Sequence, residues 1–156
     1  MEKLKIGDAL PTFSTSDQNG NQIDSKNLVG KKLVIYFYPK DNTPGCTAQA
    51  CNIRDNYEQL LANNIQIIGV SADSLKSHQS FTTKYELPFP LLLDEDKKVI
   101  EAFGVWGTKK FMGKVYDGIH RTTFLYNEEG KVISVIEKPN TKNHTEEILK
   151  EFGIKR

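Results

Sequence analysis

The sequence predicts a mixed α/β protein: a central β-sheet with helices on both faces, preceded by a small N-terminal β-hairpin. Three observations lead to this class. Two apolar runs, residues 33–38 and 65–70, read as strands buried on both faces. Helical spacing of apolar residues follows each run. Two further stretches, residues 121–126 and 131–136, flank a turn that ends in Gly130 and read as a hairpin. Strands that alternate with helices and then close with a hairpin and a helix belong to this class.

The elements follow in order. Asp17, Gln18, Asn19, Gly20 and Asn21 form a turn signal between short apolar-containing stretches, which predicts the hairpin. The run at 33–38 stops at Pro39, which cannot donate to a ladder. Ala50, Ile53, Tyr57, Leu60 and Leu61 recur at spacings of three and four, so a helix runs from about Cys46 to Asn63-Asn64. Thr43 is its N-cap and Pro44 its first residue. Residues 65–70 form the next strand and residues 74–85 the next helix. Residues 89–93 read as a third strand and 96–103 as a short helix. After the 121–136 hairpin, Thr141 caps a last helix that carries Ile148 and Leu149.

The chain of 156 residues suits one domain spanning residues 1–156. Composition is that of a globular protein, 38% hydrophobic and 26% charged, which excludes the disordered and fibrous classes. The net charge of +1 gives no field for nucleic acid or an anionic membrane, and the longest basic clusters are pairs such as Lys97-Lys98 and Lys109-Lys110. No apolar run is long enough to span a bilayer, and the N-terminal stretch has no signal-peptide core. The expectation is a cytoplasmic protein. In a reducing compartment, two cysteines point to a transient rather than a permanent disulfide. Asn143-His144-Thr145 matches a glycosylation pattern, read as chance.

Cys46 lies a few residues past a strand end, where open α/β sheets carry their working residues. At a helix entrance, unpaired N–H groups and the positive end of the dipole stabilise a thiolate, the reactive form of cysteine. Gly45 lets the backbone approach a small ligand, the Thr43 hydroxyl is a candidate donor, and Pro39 is placed to exclude water. Arg121 is the candidate cation. Cys51 follows five residues on. An intact helix puts it about 140° around and roughly 7.5 Å along the axis, whereas a disulfide needs Cα atoms within roughly 4.4–6.8 Å. A Cys46–Cys51 bond therefore requires the helix to unwind. On the residues alone, two buried packing cysteines remain an alternative. A peroxidase, a thiol–disulfide oxidoreductase and a redox sensor all remain open, although the lack of C-x-x-C counts against the second.

The pattern Pro39-x-x-x-Thr43-x-x-Cys46 resembles the active-site signature of peroxiredoxins. The stretch from Thr43 to Cys51, with Phe103-Gly104-Val105-Trp106-Gly107 and Tyr116-Asp117-Gly118-Ile119-His120-Arg121, resembles the bacterioferritin comigratory protein, or peroxiredoxin Q, subgroup. The likeness runs from about Lys5 to Leu149. It implies a thioredoxin-like fold and an antioxidant peroxidase acting on hydrogen peroxide and organic hydroperoxides. Cys46 would be oxidised to a sulfenic acid, and Cys51 would resolve it within the same chain. Thr43 and Arg121 would hold thiolate and peroxide, with Pro39 as the shield. Thioredoxin, or a glutaredoxin-like protein, would be the reductant, with no metal, flavin or haem. An intrachain resolving thiol suggests a monomer. Many relatives carry Glu where this chain has Gln49.

Other residues carry weaker expectations. Phe103 and Trp106 are either a collar near the site or core packing. His78, His120 and His144 lack ligand spacing, so no zinc site is expected. Asp94, Glu95 and Asp96 read as a solvated turn and helix start, and Phe111, Met112 and Tyr116 as contacts for an alkyl hydroperoxide.

Overall fold

The computed structural model describes residues 3–154. Its centre is a five-stranded mixed sheet in the order β5-β4-β3-β8-β9. β3 (Lys32–Phe37) pairs in parallel with β4 (Ile65–Ser71), which pairs in parallel with β5 (Leu91–Leu93). On its other side β3 pairs antiparallel with β8 (Thr122–Tyr126), and β8 with β9 (Val132–Ile136). Two-stranded ribbons flank this sheet: β1 (Ser14–Ser16) with β2 (Gln22–Asp24), and β6 (Trp106–Phe111) with β7 (Lys114–Ile119).

Strand alternation divides the core in two. Leu33, Ile35 and Phe37 pack on one side with Ile68, Val70 and α4 (Lys98–Ala102). Val34 and Tyr36 point the other way, where α1 (Pro44–Asp55), α2 (Tyr57–Ala62), α3 (Leu75–Tyr85) and α5 (His144–Glu151) cover the sheet. Tyr36 fits because its register partner is Gly69, where a Cβ would lie 2.9 Å from the ring.

The expected elements form, with corrections at four places. The helix expected to reach Asn63 breaks at Asn56, whose side-chain amide donates to the Asn52 carbonyl at 2.8 Å and so replaces the backbone bond there. The last helix starts at His144, with Asn143 rather than Thr141 at the cap position. The cap bond comes from elsewhere: Asn52 Oδ1, on α1, accepts the Thr145 N–H at 2.8 Å. Asp94 is buried, not solvated, because it accepts from the Val99 and Ile100 N–H groups at 3.0 and 2.8 Å and caps α4. The β6–β7 ribbon had no expectation attached. Its turn, Met112-Gly113, has both residues at positive φ, 51° and 80°. This is the geometry of tight hairpins, but methionine is not a residue that signals it.

Candidate active site

β3 delivers the chain to the site. Tyr38 still bonds the sheet through its N–H to the Val70 carbonyl, and Pro39 then ends the pairing. Residues 39–43 cross to α1. Thr43 takes an extended conformation at the cap position, and Pro44, which has no N–H, opens the helix. Cys46 thus sits in the first turn of α1, 1% exposed. Unpaired N–H groups and the positive helix end converge there, as the sequence suggested.

Arg121 completes the site from across the sheet. It precedes β8 rather than opening it. One guanidinium nitrogen, Nη2, donates to Cys46 Sγ at 3.3 Å, and the other, Nη1, to Gln49 Oε1 at 2.7 Å. Gly45 makes room for this cation: a Cβ on Gly45 would lie 3.2 Å from Arg121 Nη2. The glycine expected to admit a ligand therefore admits the arginine. Gln49 is fully buried with its oxygen committed to Arg121, while its Nε2 has no hydrogen-bond partner among the described residues. The neutral amide does the orienting that a carboxylate would also do.

Thr43 stands beside the site, but its hydroxyl donates to the Lys40 carbonyl at 2.8 Å, not to the sulfur. Pro39 is half-buried at the end of the strand. Cys51, on the same helix, is half-buried, and both thiols are free. Tyr36 shares the core cluster of Cys46. Burial, then the charges of Cys46 and Asp41, push the Tyr36 phenol well above its ordinary pKa, so it stays neutral.

An open cavity of about 450 Å³ adjoins Arg121, lined by Lys3, Lys109, His120, Glu137, Lys138 and Pro139. Burial and the neighbouring Arg121 charge lower the Lys109 pKa, while Cys46 acts the other way. A second cavity, about 440 Å³, lies between the N-terminal hairpin and α4 and contains none of the thiol-site residues.

The remaining expectations divide. Phe103 is core, its ring 4.9 Å from Phe37 and 5.2 Å from Phe124, so it forms no collar. Trp106 is partly buried beneath the Lys97 ammonium at 5.0 Å. Phe111, Met112 and Tyr116 lie exposed on the β6–β7 ribbon. His78, spaced unlike a ligand in sequence, meets Asp41 and Asp73 in space, with ligand-type atoms within 4.8 Å of one another. Two of those atoms, His78 Nδ1 and Asp41 Oδ2, are 2.6 Å apart and hydrogen-bonded to each other. Sequence spacing missed this cluster because its members come from three separate segments.

Comparisons with known proteins agree with this fold. Residues 6–135 match the AhpC/TSA family model. The chain is 46% identical to peroxiredoxin Bcp of Escherichia coli K12 over 149 residues, covering 96% of both chains. It is 44% identical to peroxiredoxin Bcp of Bacillus subtilis, covering 94% of this chain and 93% of that one. Among solved structures, the bacterioferritin comigratory protein of Xanthomonas campestris, studied for alkyl peroxide reduction, superposes with a TM-score of 0.85 at 35% identity over 94% of this chain and 98% of that one. A cysteine-to-serine mutant of Xylella fastidiosa PrxQ gives 0.90 at 30% identity over 98% of both chains. With its central mixed sheet of the thioredoxin-like kind and its thiol at a helix entrance, this chain belongs to the AhpC/TSA family, as a Bcp/PrxQ peroxiredoxin and thiol-dependent peroxidase.

Proposed function

We propose that Cys46 is the thiol that attacks the peroxide, Cys51 the thiol that resolves it, and a thioredoxin-type dithiol protein the reductant. The observation that carries the assignment is the Arg121–Cys46 contact at 3.3 Å in the first turn of α1. Cys46 Sγ, as thiolate, attacks one oxygen of the O–O bond. An S–O bond forms, the O–O bond breaks, and the departing alkoxide or hydroxide takes a proton to become alcohol or water. Cys46 is left as a sulfenic acid. Charge passes from sulfur to the distal oxygen, and Arg121 with the first-turn N–H groups follows it. Thr43 joins them once its hydroxyl leaves the Lys40 carbonyl. Pro39 shields the thiol from water.

Cys51 then attacks Cys46 sulfur, an S–S bond forms, and water leaves. Thiol–disulfide exchange with the reductant restores both thiols. Hydrogen peroxide and organic hydroperoxides both suit a step that needs only the O–O group. The alkyl peroxide activity studied for the X. campestris relative supports the organic class. An intrachain resolving thiol needs no second subunit, which supports a monomer. Two cysteines, read as a transient catalytic pair, suit a reducing compartment such as the cytoplasm. Among the described residues, no helix is long and apolar enough to cross a membrane.

The test is peroxide consumption with thioredoxin, thioredoxin reductase and NADPH. Wild type is expected to turn over and Cys46→Ser to be inactive. Cys51→Ser is expected to undergo the first oxidation at the wild-type rate and to recycle slowly. Equal turnover of wild type and Cys51→Ser would overturn the resolving role.

A further inference from the structure

Asp41 lies in the loop between β3 and α1, five residues before Cys46, and is 4% exposed. Donors surround it. The Tyr38 hydroxyl donates to Oδ1 at 2.6 Å, and the Ser77 hydroxyl to Oδ2 at 2.9 Å. His78 Nδ1 lies 2.6 Å from the same Oδ2. The Asp41 N–H in turn donates to Asp73 Oδ2 at 2.8 Å, and Asp73 also accepts the Ser71 hydroxyl at 2.7 Å.

The far side of the ring fixes where the protons are. His78 Nε2 is 2.8 Å from the Leu92 carbonyl oxygen, which can only accept, so Nε2 carries a hydrogen. Nδ1 faces a carboxylate that already receives two hydroxyl donors. The remaining proton lies in the 2.6 Å bond between Nδ1 and Oδ2. The result is a buried, hydrogen-bonded histidine–carboxylate pair, both side chains at most 1% exposed. Burial opposes the charge on His78. The Asp41 bond and charge, the Leu92 carbonyl and Asp73 outweigh it, leaving the His78 pKa above its ordinary value. The titratable groups facing the ring are Asp41 from the loop and Asp73 from the segment after β4. Tyr38 shares Asp41 from the end of β3 and is itself held neutral by burial and the Asp41 charge.

This network ties residues 38–43 to the β4 end, to α3 and to β5 at once. The Tyr38 ring also stacks on Tyr36 at 5.5 Å, and Tyr36 shares the core cluster of Cys46. The loop so held is the one that sets Thr43 and the first turn of α1. We propose that the Asp41–His78 pair is a positioning device for the reactive cysteine: it holds the loop so that Thr43 and the helix entrance meet the peroxide at Cys46. The inference rests on Cys46 being the thiol that attacks peroxide. Asp41 and His78 act through the loop and are positioning residues, not catalytic ones.

Two reagents separate positioning from mere folding. Peroxide needs thiolate and aligned donors, whereas iodoacetamide needs only the thiolate. Misplacement of a reacting group by about 1 Å costs on the order of 100-fold in rate. In a Cys51→Ser background, Asp41→Ala and His78→Phe are expected to slow oxidation by hydrogen peroxide about 10–100-fold, with alkylation changed by less than about threefold. Asp41→Asn keeps the Tyr38 bond and donates from Nδ2 to a neutral His78 Nδ1, with the Ser77 hydroxyl turned away from donating, and is expected to stay within about threefold of wild type for both reagents. Should the first two variants fail to fold, Tyr38→Phe decides, since it removes one donor to Asp41 and keeps the ring. Slower peroxide oxidation with unchanged alkylation is expected for it. Folded variants with unaltered peroxide rates, or with both reagents slowed equally, would overturn the proposal. A wild type no faster with peroxide than a Cys46→Ser control would instead overturn the assignment of Cys46.

Discussion

The two ends of helix α1 are held in different ways. The first part, residues 44–51, contains both cysteines and is bonded by Arg121 at Cys46 and Gln49. It begins with Pro44 and Gly45, and glycine is a weak helix former. The last turn, residues 52–55, is fastened by bonds independent of sulfur. Asn52 donates to the Lys142 carbonyl at 2.9 Å and caps α5 through Thr145 at 2.8 Å. Arg54 donates to the Tyr85 carbonyl at 2.8 Å, and Ile53 is fully buried in the core. The difference has a chemical consequence. On the proposed assignment, oxidation of Cys46 to a sulfenic acid would change the atom that Arg121 contacts, so the first step of catalysis would loosen the anchor of the part that has to unwind. The bonds of residues 52–55 do not involve sulfur, so the proposed unwinding is expected to stop at Asn52, immediately after Cys51.

The largest effect that probes this contrast is at Arg121. Arg121→Ala removes the donor that follows the developing charge, and loss of one such donor typically costs on the order of 10²–10³ in rate. Stopped-flow oxidation by peroxide measures it, and a loss below about tenfold would show that Cys46 is activated by the backbone of the first turn alone. A smaller effect is expected at Asn52. Asn52→Ala loses two tertiary hydrogen bonds, one of them the cap of α5, for about 1–3 kcal/mol of stability by denaturant unfolding. In that variant the unwound region of the oxidised protein is expected to run past Asn52. Unchanged stability would mean that α5 is capped adequately without it.

Much of this was legible in local pattern. β3 and β4 were plain as apolar runs, and α3 was read over residues 74–85, where the Ser74 hydroxyl accepts the Ser77 N–H at 3.1 Å. The β8–β9 turn was equally local, with Asn127 Oδ1 accepting from Glu129 and Lys131. What escaped depends on distant partners. The start of α5 is fixed by Asn52, which lies 93 residues away in sequence. Asp94 looked solvated because its neighbours Glu95 and Asp96 are, yet it turns inward to cap α4. His78 has no metal-ligand spacing because its partner Asp41 lies 37 positions upstream. The Cys46–Arg121 contact spans 75 positions and was anticipated through the charge that a thiolate requires and through a family motif. The direction of the Thr43 hydroxyl was not, since a rotor choosing between sulfur and the Lys40 carbonyl leaves no mark in sequence.

If Cys51 resolves Cys46 as proposed, their five-residue spacing on an intact helix makes resolution a conformational event as well as a chemical one. Amide hydrogen exchange on the fully reduced and fully oxidised protein tests this most directly. With a Cys46–Cys51 disulfide verified by mass spectrometry, amides of residues 47–51 are expected to lose protection while residues 53–55 keep it. A verified Cys46–Cys51 disulfide with amides 47–51 as protected as in the reduced protein would contradict the account.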